Sequence, residues 1–428
     1  MRDLPEAAAR ILEQNWRGTH TVPASGLYPH QWSWDSAFIA FGLRHLSPLR
    51  AQQELLSLFA AQWQDGRIPQ IVFEKNKDDA YFPGPTFWRS SELTGTPGVA
   101  TSGLIQPPNH AWAVWAVHRT DPAASRRAGF LERAYPALCR WHDYLRVHRT
   151  LGGDSLLAAV HPWETGMDNS PAWDGPLSRV PQDRQIRLAR PDLRHARPSE
   201  RPTDAEYRRY VFLADVYRSE GCVDGPGLPF VVEDPAMNAL WSLSETALAA
   251  IAAELGNDPR PHAARADTIA NALQVLFSDA AGAYLARDVR TGERMDAVTV
   301  SGLLPILVPS LPTHDRLLAT LRGPGFQLGE LKLVPSYDLT RPDADPGAYW
   351  RGPSWFNTSW MLMRSLRGLG EAEAEAEALR RTMGQLALAH DFPEYVDPLR
   401  GTPHGTRRFS WTAALTLDAE IDPKESLT

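Results

Sequence analysis

DPAMNALWSLSETALAAIAAEL, residues 234–255, decides the fold class. Asp234 supplies an N-cap, Pro235 sits where a missing N–H costs nothing, and Gly256 ends the apolar run. Residues 259–277 keep helical spacing and follow a short joint, so the two stretches predict an antiparallel helical hairpin. The same rhythm recurs outward from it. Residues 353–369 and 371–390 meet at Gly370, and residues 35–46 join a further helix through Ser47-Pro48 that ends at Gly66. Helices are also predicted over 3–16, 110–118, 130–148 (restarting at Pro136), 204–218, 298–308, 314–321 and 411–419. One β-hairpin is expected over 284–295, turning at Thr291-Gly292. Roughly a dozen paired helices, long irregular connections between alternate pairs and no fixed-period repeat predict an all-α toroid of helical hairpins. No linker-like stretch divides it, so residues 1–428 are expected to form one domain.

The 428 residues are 43% hydrophobic and 22% charged, enough for a sizeable core, and the net charge is −7. That sign argues against nucleic acid and anionic membrane as partners. The charged start MRDLPEAAAR, the absence of a span-length apolar run and the presence of only 2 Cys point to a cytoplasmic protein without a disulfide framework. A homo-oligomer is allowed by the sequence but not specified by it. The 15 Trp and 36 Pro are high counts, and many of those Trp fall in Pro/Gly/Asp-rich loops.

Five of those loops share one composition: 27–35 (LYPHQWSWD), 79–88 (DAYFPGPTFW), 161–174 (HPWETGMDNSPAWD), 349–355 (YWRGPSW) and 392–398 (FPEYVDP). Each mixes aromatic residues with Pro, and most add an acid. Convergence on one aromatic-lined cleft is the economical explanation. Indole faces stack on sugar rings, and their low dielectric raises the pKa of an acid that must arrive protonated. Glycoside hydrolysis needs two carboxyl groups, one to protonate the leaving oxygen and one to act on water or carbon. Asp168 and Glu394 are candidates, but Asp35, Glu164, Asp174 and Asp397 have similar surroundings, and composition does not choose among them.

WSWDSAF (32–38), ETGMDNSPAWD (164–174), YWRGPSW (349–355) and FPEYVDPLRG…RRFSWTAA (392–414) resemble segments of the bacterial enzymes of glycoside hydrolase family sixty-three. The likeness is greatest to those that cleave mannosylglycerate and glucosylglycerate. The segments fall in the family's order and cover nearly the whole chain. The resemblance implies an (α/α)6 barrel and an inverting hydrolase with no cofactor and no metal in its chemistry. Its substrate would be a small α-glycosyl-glycerate compatible solute such as 2-O-α-mannosyl-D-glycerate, alongside glucosylglycerate. The resemblance makes Asp168 the general acid, kept protonated by Trp163 and Trp173, and Glu394 the general base. It points to Tyr28, Trp32, Trp34, Asp35, Tyr81, Gln106, Gly166, Tyr349, Trp350 and Trp355 for the sugar subsite. A glycerate carboxylate needs a cation, which the likeness places in AEYRRYVF at Arg209, with Arg407 and Arg408 as a second choice.

Residues 177–202 are rich in Arg, Asp and Pro and poor in apolar side chains, which predicts a mobile surface loop or lid over 177–204. Here the chain departs most from the family's pattern. No HExxH zinc helix and no Gly-rich phosphate loop is present. Two other readings stay open: a relative acting on another small α-glucoside or glycan end, and a sugar-binding protein without turnover.

Overall fold

In a computed structural model the described residues are 3–182 and 188–422. Six inner elements form a closed ring in which each touches the next. They are Ser33–Leu46, His110–Thr120, Pro235–Glu254, the 3-10 turns Val300–Gly302 and Leu304–Leu307, Phe356–Arg367 and Ser410–Ile421, the last packing back on the first. Outside them lie Leu4–Asn15, Pro48–Phe59, Phe130–His148, Arg260–Leu273, His314–Arg322 and Glu373–Ala389. This is an (α/α)6 barrel. The division follows from composition. Inner helices such as Pro235–Glu254 are mostly apolar or small residues and are buried over most of their length, whereas outer ones such as Leu4–Asn15 carry one apolar stripe.

The ring closes where first and last inner helices come close. A side chain at Gly42 would collide with the backbone of Ala414, so only glycine fits there. At the same seam the buried Asp418 carboxylate binds Arg44 (2.8 Å), Arg364 and Trp360 Nε1 (2.9 Å). Those partners come from the first and fifth inner helices. The Arg364 and Arg44 charges hold Asp418 well below the usual carboxylate range in spite of its burial.

Most of the expected helices are present, with three differences. Residues 298–308 form two 3-10 turns, so the fourth inner element is not an α-helix. Helix Phe130–His148 runs unbroken through Pro136, whose exposed position lets the carbonyl it orphans face water. The 284–295 hairpin is reduced to a bridge between Arg287 and Arg294 with the turn at Gly292, because Tyr284 pairs backward with Phe277. Among the described residues no helix is long and apolar enough to cross a membrane.

Short strands lock the loops at the N-terminal ends of the inner helices. Gln31–Trp32 pairs with Ile71–Val72 and runs straight into Ser33–Leu46. Ser354–Trp355, Tyr395–Val396 and Pro403–His404 form a second sheet, whose first strand runs into Phe356–Arg367. Aromatic loops leading into the first and fifth inner helices are thereby fixed.

Candidate active site

Among these loops lies a pocket of about 730 Å³, counting its mouth, where eleven of the residues singled out from the sequence meet. Tyr28, Trp32, Trp34 and Asp35 come from the entry to the first inner helix. Tyr81 and Gln106 come from the connections before the second. Trp163, Gly166 and Asp168 come from the central loop, and Tyr349 and Glu394 from the loops before the last two inner helices.

The central loop is held from behind. Glu164, one of the competing acids, is fully buried outside the pocket and ion-paired with Arg149. Its carboxylate also accepts the backbone N–H groups of Val160 (2.8 Å) and Ile105 (3.1 Å), tying this loop to the one carrying Gln106. His161, its pKa pushed down to about 3 by burial, bridges the Trp163 N–H and the Tyr210 carbonyl. Tyr210 donates to the Asp168 carbonyl (3.0 Å). Gly166 has φ +71°, and an added Cβ there would stand 2.8 Å from Trp34 Cε2 and closer to two further ring carbons. The Trp34 indole thus lies flush against a bare backbone. Gln106 accepts the Trp34 N–H through its carbonyl (3.2 Å), which leaves its amide nitrogen for a ligand.

Asp168 is partly buried and lines the pocket. Burial, opposed by the Arg201 charge, pushes its carboxyl up to about 7. Glu394 lines the same pocket and is anchored there. Its Oε1 accepts from Tyr28 (2.9 Å) and Tyr349 (3.4 Å), and its Oε2 from the Thr406 N–H (3.2 Å). Burial raises Glu394 as well, while Arg201 and these hydrogen bonds counter it by favouring the ionised form. Gly405 presses on Glu394 so closely that no side chain would fit there. Asp35, raised by burial and by Glu394, also faces the pocket. The other acids do not: Asp174 is exposed in an ion pair with Arg351, and Asp397 caps the turn at Leu399 and Arg400. Two carboxyl groups in one aromatic pocket, one held protonated and the other favoured in its ionised form by hydrogen bonds and Arg201, are the groups that protonating a leaving oxygen and activating water require.

Four expectations are corrected. Arg209 does not reach the pocket, because its Nε donates to the Val180 carbonyl on the flank of helix Asp204–Ser219. The cation that does is Arg201, whose Nη1 donates to Tyr28 (3.0 Å) and whose guanidinium lies 4.2 Å over the Tyr349 ring. Trp350 and Trp355 are core, stacked on each other at 3.9 Å, with Trp355 stacked in turn on Tyr395 at 4.5 Å. They back Tyr349 and do not line the wall. Trp173 is likewise buried, and its Nε1 donates to the Met167 carbonyl (2.8 Å), so it braces the loop and does not shield Asp168.

Part of the expected lid, 183–187, lies outside the described residues. The described remainder is not a surface loop throughout: Pro191, Asp192, Arg201 and Pro202 line the pocket. Its apolar poverty hid this, because charged pairs such as Arg190–Asp192 hold it in place of a core. Tyr207, Phe82 and Trp411 also line the pocket unannounced. Trp411 lay within a quoted segment, RRFSWTAA, and was readable there.

Residues 28–412 match the model of the mannosylglycerate hydrolase MGH1-like glycoside hydrolase domain. The chain belongs to this family. It is a glycoside hydrolase of that group. Similar proteins include a mannosylglycerate hydrolase of Rubrobacter radiotolerans, 40% identical over 99% of this chain and 98% of the relative. A glucosylglycerate hydrolase of Mycolicibacterium hassiacum is 38% identical over 97% of both chains. A family sixty-three mannosylglycerate hydrolase of Thermus thermophilus, crystallised with Tris and D-glycerate, superposes with a TM-score of 0.89 at 38% identity. That match covers 98% of this chain and 100% of the other.

Proposed function

We propose that this glycosidase hydrolyses 2-O-α-mannosyl-D-glycerate, and α-glucosyl-D-glycerate with it, with inversion at the anomeric carbon. Asp168 is the general acid, passing its proton to the glycosidic oxygen as the C1–O bond breaks. Glu394 is the general base, taking a proton from a water that attacks C1 from the opposite face. The products are the free sugar and glycerate. Trp32, Trp34, Tyr81 and Trp163 offer ring faces and edges to the pyranose, while Asp35 and Gln106 take its hydroxyls.

The observation that carries the substrate class is Arg201, a guanidinium held at the wall shared by Tyr28 and Tyr349, beside the acid and base. A neutral glycoside offers that buried cation no charge to pair with, whereas a glycerate carboxylate pairs with it. The relatives named for mannosylglycerate and glucosylglycerate support the same reading. The test is release of glycerate from both compounds by the purified protein, with the corresponding α-glycosylglycerols as carboxylate-free controls. The reading expects kcat/KM to favour the glycerates by about a hundredfold, the worth of a well-made charge-assisted pair. Equal turnover of the glycerol compounds would remove the role given to Arg201. No turnover of either glycerate by folded protein would favour another small α-glucoside.

A further inference from the structure

One further carboxylate of the pocket lining takes no part in the chemistry above. Asp192, whose side chain is 5% exposed, lies between two arginines. It accepts from Arg190 through both oxygens (Nε to Oδ1 3.0 Å, Nη2 to Oδ2 2.8 Å), and from Arg201 Nε to Oδ2 at 3.3 Å. The two arginines are differently committed. Arg190 is spent on local structure: it also holds Asp204 (2.8 Å) and the Pro202 carbonyl (3.0 Å), and it lies 4.4 Å over the Tyr207 ring. Arg201 instead reaches into the pocket, to Tyr28 and over Tyr349.

We propose that Asp192 is a positioning residue that aims Arg201 at the carboxylate of the leaving group, so that residues 188–204 select acidic aglycones. The inference rests on the reading of Arg201 given above. An arginine side chain has many rotamers, and a bidentate grip on a carboxylate works only if its planar fork is presented edge-on. Arg201 is fixed at three places: Nε by Asp192, one face by the Tyr349 ring, and Nη1 by Tyr28. The Nη edge is then the part left for a ligand. Asp192 is the one of the three that carries a full negative charge, and it opposes the attraction of Arg201 toward Glu394. It also lets Arg190 and Arg201 lie side by side, since without its charge two buried guanidinium groups would repel across a few ångströms. The Arg190 hydrogen bonds and the Arg201 charge hold the Asp192 carboxyl below its ordinary range in spite of burial, so it stays ionised wherever Glu394 does.

The test compares Asp192→Asn, Asp192→Glu and Arg201→Gln with wild type, reading KM for mannosylglycerate and competitive inhibition by D-glycerate and by D-mannose. In Asp192→Asn both KM and the D-glycerate Ki should rise about tenfold, the size of one misaimed charge-assisted hydrogen bond. The D-mannose Ki should stay within about twofold, and Asp192→Glu should recover most of the loss. Arg201→Gln should show the same pattern, larger. If Arg201→Gln weakens D-glycerate and Asp192→Asn does not, the positioning role is overturned while the reading of Arg201 stands. If Arg201→Gln leaves D-glycerate binding unchanged, that reading fails and takes this inference with it. If Asp192→Asn weakens D-mannose as much as D-glycerate, Asp192 merely holds the pocket together and the proposal is wrong.

Discussion

Replacing Gly166 with alanine probes the sugar side of the pocket through a single methyl group. Gly166 has φ +71°, a left-handed conformation that costs an alanine about 1–2 kcal/mol. The new Cβ would stand 2.8 Å from Trp34 Cε2, against about 3.5–4.0 Å for a relaxed carbon contact. The indole therefore has to retreat by roughly an ångström, as over-packing of this kind demands at about 1–3 kcal/mol. Phe38 and Trp411 bound the ring at 5.4 and 5.5 Å between centroids, which leaves the pocket as the open direction. The total, about 2–5 kcal/mol, converts to a melting shift through the unfolding entropy. At about 2.1 cal/mol/K per residue, 428 residues give about 0.9 kcal/mol/K, so Tm should fall by about 2–6 °C. Because the displaced indole enters the volume meant for the sugar, kcat/KM should fall about a hundredfold, the usual effect of an ångström error in placement. Differential scanning fluorimetry and initial rates on mannosylglycerate measure the two effects side by side. A lower Tm with kcat/KM within twofold of wild type would refute the placement of Trp34 as a sugar wall.

Three further outcomes follow from the site. With Asp168 required protonated, kcat/KM should decline on the alkaline side with a midpoint near its pKa of about 7. Folded Asp168 also holds its proton more tightly than its ordinary pKa of 3.8 allows, so its contribution to stability falls as pH rises from about 4 to about 7. Asp168→Asn should then lose the alkaline limb and about 10²–10⁴ of kcat, yet melt above wild type at about pH 8. Tyr28→Phe removes a hydrogen bond to the ionised form of Glu394, so the acidic limb should move to higher pH and kcat fall about tenfold. An unmoved limb would separate Tyr28 from the base. Glu164→Gln leaves Arg149 with Asp224 at 3.4 Å as its remaining ion-pair partner among the described residues. The cost should be about 3–5 kcal/mol, read as a lower Tm, since a buried charge loses its closest partner.

The helical hairpins were legible because each carries its own signals, as Asp234, Pro235 and Gly256 do around one inner helix. The turns over 300–307 were not, since their apolar run is equally compatible with an α-helix and only the neighbours in the ring settle the pitch. Loop composition located the cleft but could not sort its tryptophans. Trp32 and Trp355 occupy equivalent places, each ending a short strand and capping an inner helix, yet one faces the pocket and the other stacks between Trp350 and Tyr395. Arg201 escaped notice for a related reason. A segment without apolar residues reads as solvated, whereas Asp192 and its two arginines fold it by charge, a long-range effect with no periodicity to find.

Asp168 and Glu394 are expected to cleave a glycosyl-glycerate by single displacement. Proton NMR of the anomeric signal during the first minutes of α-mannosylglycerate hydrolysis tests it most directly, with Asp168→Ala and Glu394→Ala run alongside. The account predicts β-mannose as the first product from the native protein and none from either variant. α-Mannose as the first product, or undiminished turnover by either variant, would contradict it.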